Sequence, residues 1–340
     1  MDLSRRNLLK AISVLPLIAA YGRAAAGDVT TLRINIPGPL SLPFLPIELI
    51  PILGIDRNLN AQLNIRYFPS GVRALEDMLA GNAQFSAQGF TVLPAFQAKG
   101  KHVKTIAPLS GQVPPYGIVV RSDLRGKIRR AADLKGHSIG ISVGSVTSKT
   151  YMQQVAESFL SASGVQPNEV RWVPTAQSWD GQFGALNSKS VDAVYCEEPF
   201  MSGLVRKKTG FLLSDFSDPK VRAVIPGAGH FRATITTTAE NIAQDAHAAE
   251  LMVQMLRQSL SWIFNASANE IVSRLGIKDE GERQDMLHVL SKNREMYASD
   301  VRFSQKQMIA TEQFMVSTGI SQSGFDIHSL IANQFAGEKP

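Results

Sequence analysis

The sequence predicts an α/β protein of two lobes joined by two crossings, with a helical C-terminal tail packed on the first lobe. Three observations carry this expectation. From Thr31 onward, short apolar runs alternate with stretches of helical periodicity. Two extended runs, QVPPYGIVVRS (112–122) and HFRATITTT (230–238), break that rhythm. After the second, the composition changes to long amphipathic helices. A chain of 340 residues is long for one ordinary domain and sufficient for two.

The elements follow in order. TLRINIP (31–37) and LNIRYFP (63–69) alternate as strands do, and VRALEDMLAG (72–81) has apolar residues at helical spacing and stops on Gly81. AQFSAQG (83–89) and VKTIAPLS (103–110) are short apolar runs bounded by turn residues. Strand–helix alternation of this kind predicts a parallel sheet covered by helices. The pair of prolines at 114–115 marks the first crossing. A second series comprises the turn DLKG (133–136), SIGIS (138–142), a helix from about Ser148 to Ser161, EVRWVP (169–174), a helix at about 179–188, and VDAVYCEEPF (191–200). The threonine-rich run 230–238 returns the chain, and helices are predicted at 245–264, 281–296 and 304–319. The expected division is therefore 28–117 with 229–335 as lobe 1 and 118–228 as an inserted lobe 2. Two crossings make a hinge, and a hinge makes a cleft.

The N-terminal segment MDLSRRNLLKAISVLPLIAAYGRAAAG has a charged start, an apolar stretch from Leu8 to Ala20 and an Ala24-Ala25-Ala26 cleavage box, so residues 1–26 read as a signal peptide cut near Ala26-Gly27. SRRNLLK resembles the twin-arginine export signal, and a Sec signal carrying two arginines is the alternative. Either route places the mature protein in the periplasm. Arg5, Arg6, Lys10 and Arg23 against Asp2 account for about half of the net charge of +6. The remaining excess is too small, and too little interleaved with aromatics, to suggest nucleic acid as a partner. Cys196 is the sole cysteine, so neither an intramolecular disulfide nor a cysteine metal cluster can form. No second apolar stretch is long enough to span a membrane.

Catalytic signatures are missing. His102, His137, His230, His247, His288 and His328 are scattered without HExxH spacing. There is no GxSxG elbow, no GxxxxGK[ST] loop and no GxGxxG after a strand. The expectation is a protein that is not an enzyme and uses no cofactor or metal. What recurs instead is polar, small-residue loops at strand ends, where open α/β sheets bind ligands. Ser41 and Phe44 follow the first strand; Gln88, Gly89, Phe90 and Thr91 follow AQFSA; Ser142, Gly144, Ser145, Thr147 and Ser148 follow SIGI; Glu197 and Glu198 follow VDAVYC. Phe44, Phe90, Tyr116 and Trp179 could form apolar pocket wall. Phe90 and Trp179 fit a core position equally well.

Three stretches together, SGVRALEDMLAGNAQFSAQG, VVRSDLRGKIRRAADLKGHSIGISVGSVTSKTYMQQ and ALNSKSVDAVYCEEPF, resemble the solute-binding proteins of ABC importers in the nitrate/sulfonate/taurine family, also called SsuA/THI5-like. The resemblance covers about residues 31 to 240. It implies the type II periplasmic-binding-protein fold, a monomer that closes on a small solute, and partnership with a membrane permease and its ATPase. It places the loop Ser142–Ser148 at the cleft, where N–H groups at a helix start attract an acidic group, and makes Ser145 and Thr147 direct contacts. Glu198 matches the family's usual Glu-Pro-Phe acid, whereas Glu197 stands where an aromatic is frequent. A second carboxylate ending a buried strand is costly unless paired. It could meet a cationic or amine-bearing solute or a basic residue such as Arg206, and it counts against a simple sulfonate or nitrate ligand. A thiamine-precursor or aromatic-acid binder, a periplasmic sensor, and an enzyme of the THI5 type are the alternative readings.

Overall fold

A computed structural model of the chain describes residues 29–111, 115–142, 144–145, 148–227, 229–336 and 338–339. The signal peptide expected at 1–26 and the candidate Thr147 lie outside the described residues.

Two five-stranded sheets organise the molecule. The first is built from β1 (Thr30–Pro37), β2 (Ala61–Phe68), β3 (Phe85–Gly89) and β4 (Val103–Pro108), with α1 (Leu45–Leu53), α2 (Ile55–Asn58), α3 (Gly71–Leu79) and α4 (Leu93–Gln97) between them. The chain then changes sheet. β5 (Tyr116–Arg121), β6 (Ser138–Ser142), β7 (Arg171–Thr175), β8 (Ala193–Glu197) and β9 (Gly210–Asp215) form the second sheet, with α5 (Tyr151–Ala162), α6 (Trp179–Asn187) and α7 (Phe200–Arg206). The four-residue α8 (Pro219–Arg222) precedes the return, and β10 (Ala233–Thr238) re-enters the first sheet. The tail follows as α9 (Ala239–Gln244), α10 (Ala246–Asn265), α11 (Ala268–Arg274), α12 (Glu280–Lys292) and α13 (Gln305–Ser317). Short α14 (Asn333–Ala336) closes it, and β11 (Phe303–Ser304) pairs with β12 (Glu338–Lys339).

The strand orders are β2-β1-β3-β10-β4 and β7-β6-β8-β5-β9, the same order twice when β5 and β10 are exchanged. Each sheet is mixed rather than purely parallel as the sequence suggests. β1 runs parallel to β2 and β3, and β6 parallel to β7 and β8, but β10 is antiparallel to both its neighbours and so is β5. The reason is topological: each antiparallel strand is the one delivered by a crossing from the other sheet, so no covering helix dictates its direction. One consequence governs the site. An antiparallel strand begins at the edge where its parallel neighbours end, so Tyr116 faces Glu197 in register, and Ala233 faces Gly89. The change of sheet falls before Tyr116, slightly upstream of residue 117.

Helix α5 starts at Tyr151, three residues later than the periodicity suggests. Thr150 is extended and its side chain accepts from the Gln153 amide, which makes it the N-cap. The tail packs as expected. Helix α10 buries Ala249, Met252, Leu256 and Ile263 at helical spacing and lies on α1 and β4, and Ser259 Oγ donates to the Pro46 carbonyl at 2.6 Å. Among the described residues, no helix is long and apolar enough to cross a membrane.

Glu48 in α1 is an exception to apolar packing. It is 5% exposed, yet its carboxylate accepts from the Leu40 amide at 3.0 Å and from Tyr67 at 3.4 Å, tying down the loop that leads to Ser41. Burial outweighs both hydrogen bonds and carries its pKa from 4.5 to about 7. The folded protein thus favours the protonated form. That stabilisation is complete below pH 4.5 and is lost as the pH rises through about 7. Denaturant unfolding of wild type and Glu48→Gln across this range should show the wild type losing stability relative to the variant. A flat difference curve would place the Glu48 charge in water instead.

Candidate ligand-binding site

The two lobes meet along the C-terminal ends of their parallel strands. A hydrogen bond from the Gln177 amide to the Pro69 carbonyl at 3.0 Å joins the loop after β7 to the loop before α3. At Gly89, the last residue of β3, a Cβ atom would stand 2.3 Å from the Cβ of Tyr151 in the first turn of α5. Only glycine permits that approach. The cavity left at this seam is small, about 10 Å³, and is lined by Phe44, Gln88 and Gly89 from one side, Tyr151 and Gln177 from the other, and Arg232.

Arg232 is the feature on which the site turns. It precedes β10 by one residue, so the antiparallel entry of that strand delivers it to the ligand edge of both sheets. Only 2% of it is exposed. Its guanidinium lies 4.4 Å from the centre of the Tyr151 ring, 5.4 Å from Phe44 and 5.5 Å from Tyr116, and Nε donates to the Tyr116 hydroxyl. Among the described residues, no carboxylate oxygen comes within 4.0 Å of it. Burial works against the charge, but Tyr116, Glu197 and Tyr151 together hold the pKa above its ordinary value. Burying an ion without a close counter-ion costs several kcal/mol on general grounds. The aromatic faces recover only about 0.5–2 kcal/mol each.

His230 and Tyr151 brace this arrangement. His230 Nδ1 faces the Gly227 carbonyl at 3.0 Å and Nε2 faces the Tyr151 hydroxyl at 2.8 Å, so Nδ1–H donates to the carbonyl and Nε2 accepts from the phenol. The ring is stacked on Phe314 with centroids 4.1 Å apart. Burial lowers its pKa to about 4, and it is neutral at physiological pH.

Glu197 is 1% exposed. Its Oε1 accepts from Ser41 Oγ at 2.5 Å and from Gln177 Nε2 at 3.2 Å, whereas Oε2 is buried without a hydrogen-bond partner. Burial raises its pKa, with Arg232, Ser41 and Gln177 acting in the opposite direction. Arg206 is not its partner. That guanidinium sits at the far end of α7 and pairs with Asp285 at 2.9 Å and, at 3.9 Å, with Asp279, both from the tail. Glu198 points elsewhere too. Its carboxylate accepts from the Ser202 amide and hydroxyl, each at 2.9 Å, and closes the first turn of α7.

Of the residues read from sequence, Ser41, Phe44, Gln88, Gly89, Tyr116 and Glu197 are brought together around Arg232. Ser142 Oγ donates to Thr150 Oγ1 at 3.0 Å beneath the start of α5. Gly144 and Ser145 follow β6, where the Ser145 amide bonds the Ser148 carbonyl at 2.9 Å, and Ser145 Oγ is buried without a partner. Thr91 and Ser148 line a different, larger pocket of about 650 Å³. Phe90 is core, fully buried against Phe231 at 5.6 Å. Trp179 stacks on Phe183 at 5.2 Å and borders a third, apolar pocket of about 180 Å³ with Leu40 and Phe200. Arg232, Tyr151 and Gln177 are not among the sequence candidates, and His230 is there only as one of six scattered histidines. The signal available was HFRATITTT itself, where a lone arginine heads a strand otherwise fit for burial.

Comparison with solved structures places the fold. A protein from Bordetella bronchiseptica RB50 superposes with a TM-score of 0.77 at 20% identity, covering 91% of this chain and 96% of that one. The alkanesulfonate-binding protein SsuA from Xanthomonas axonopodis pv. citri, bound to MOPS, gives 0.65 at 16% identity over 89% and 98% of the two chains. The desulfurization enzyme DszB gives 0.53 at 16% identity over 91% and 97%. The architecture is thus the two-lobed one of the periplasmic binding proteins, on which an enzyme has also been built. A sequence model described as NMT1/THI5 like matches residues 60–267, and the chain belongs to that family. No curated protein matches in sequence.

The seam geometry makes Gly89→Ala a specific test of closure. The new methyl group would meet a backbone-anchored Cβ, which cannot rotate away, so the lobes should part. Small-angle scattering should report a larger radius of gyration with the melting temperature of the protein nearly unchanged; an unaltered radius would show that the two lobes do not press together at this point.

Proposed function

We propose that this protein captures a small organic anion between its lobes and holds it without chemical change, as the periplasmic solute-binding component of an ABC importer. The observation that carries this reading is the buried Arg232, charged, boxed by aromatic faces, and lacking a carboxylate at ion-pair distance among the described residues. An anionic solute group placed beside it would supply the missing counter-charge, and the first turns of α3 and α5 bring backbone N–H groups to the same seam. Closing contacts worth about 1.4 kcal/mol shift the closed population tenfold, so a single charge-assisted hydrogen bond made only on closure suffices to mark the loaded form for a permease. Sulfonates and carboxylates meet this requirement, and nitrate, though inorganic, carries the same charge. Membership of the NMT1/THI5-like family and the resemblance of the fold to SsuA support it, as do the signal sequence and its arginine pair for export to the periplasm.

The chemistry at the seam favours binding over turnover. Cys196, the one thiol, is buried, and burial together with Glu198 and Glu197 pushes its pKa well up, away from the reactive thiolate.

Calorimetric titration of the mature protein with nitrate, short alkanesulfonates and short carboxylates should identify a binding class. Arg232→Met, which keeps the bulk and removes the charge, should weaken that binding at least 100-fold, corresponding to about 2.7 kcal/mol. Affinity within threefold of wild type in a folded variant would remove Arg232, and this reading, from the site.

A further inference from the structure

The cavity beside Arg232 and the 650 Å³ pocket are lined by different residues of the same two segments, the one that follows β3 and the one that opens α5. Gly89 lines the inner space and Thr91, two residues on, lines the outer one. On the opposing lobe, Tyr151 faces inward while Ser148 and Gln154 face outward. A hydrogen bond from Thr91 Oγ1 to Gln154 Oε1, supported by Gln154 Nε2 reaching the Thr91 carbonyl at 3.4 Å, joins the lobes within the outer pocket. The disproportion is large. About 10 Å³ holds only a water-sized group while the lobes touch, so a larger head group reaches Arg232 only as they part, whereas the outer pocket already has the volume of a site for an organic molecule.

The outer pocket also has a definite chemistry. Ser148, Gln154, Ser158, Ser161, Gln166 and Thr318 supply neutral donors and acceptors. Its charged groups are Lys149 and Glu157, which bond each other at 2.6 Å and ask for no further charge. Residues from both lobes and from the return crossing, including Ala95, Val224 and Pro226, complete it. A molecule seated there would therefore add closing contacts of its own.

We propose that the solute is an anion with an uncharged, hydroxyl- or amide-bearing tail: the anionic head goes to Arg232 and the tail fills the outer pocket. This rests on the assignment of Arg232 as the head-group site and adds the substrate's length and polarity to it. The Thr91–Gln154 bond then yields to the tail, whose hydroxyls replace it.

The test uses matched anions that share a head group: ethanesulfonate against 6-deoxy-6-sulfoglucose, and propionate against gluconate. For the head group that binds, the polyhydroxylated member should bind wild type at least tenfold more tightly. Hydrogen exchange at the amides of residues 154–161 should slow on its addition and remain unchanged with the short anion. Ser158→Phe and Ala95→Leu, which fill the outer pocket from opposite sides, should abolish the advantage while leaving the short anion's affinity within twofold. Equal affinity of short and long anions for wild type, or exchange protection that does not distinguish them, overturns the two-chamber assignment and leaves Arg232 untouched. Loss of every anion in Arg232→Met with the length preference intact in wild type supports both assignments. A long anion that survives Arg232→Met but not the two fillers refutes the head-group site alone.

Discussion

The structure depends on one electrostatic commitment: a guanidinium buried where two lobes meet. Taking Arg232 out of water is unfavourable, and its surroundings soften that cost without cancelling it. Tyr116 accepts a hydrogen bond, and three aromatic rings offer their faces. Glu197 contributes at longer range, its own charge disfavoured by burial. The groups nearest Arg232 come from three places, namely the loop after β1, the start of β5 and the first turn of α5. The arginine is therefore enclosed only while the lobes touch, and its solvation is coupled directly to opening and closing.

Around this centre the seam is built from contacts that cross between lobes. Ser41 reaches Glu197, the Gln177 amide reaches the Pro69 carbonyl, and Thr91 reaches Gln154. Each is a hydrogen bond that water can replace when the lobes part, so each contributes only about 0.5–1.5 kcal/mol net between neutral groups. Such contacts suit a hinge, because a seam closed by apolar burial alone would not reopen for release. Apolar packing is continuous through the molecule, with α3 and α10 on the first sheet and α5 and α7 on the second.

Much of the architecture was legible in the chain because it is local. Strand runs, helix periodicity and the two extended crossings are properties of neighbouring residues, and the loops at strand ends named Ser41, Phe44, Gln88, Gly89, Tyr116 and Glu197 as cleft candidates. The failures are equally specific. Arg206 was a reasonable partner for Glu197 by proximity along the chain, but α7 turns it outward to Asp285. Glu198 and Trp179 sit near the right loops and face elsewhere, because one residue's step along a strand or helix changes the face presented.

By itself, then, the sequence determined the fold class, the two-lobed plan and the strand ends from which a site would be drawn, since these rest on periodicity and turn chemistry. Tertiary structure alone decided the chemistry of that site. Arg232 lies 116 residues from the tyrosine that accepts its hydrogen bond, and Glu197 lies 156 from the serine that donates to it. Arg232 and Tyr116 are joined by the antiparallel entry of β10 and β5, which turns the first residues of those strands toward the edge where the others end, and Ser41 and Glu197 by the meeting of the ends of β1 and β8 at that same edge. Direction of pairing is a long-range property, and no window of sequence contains it.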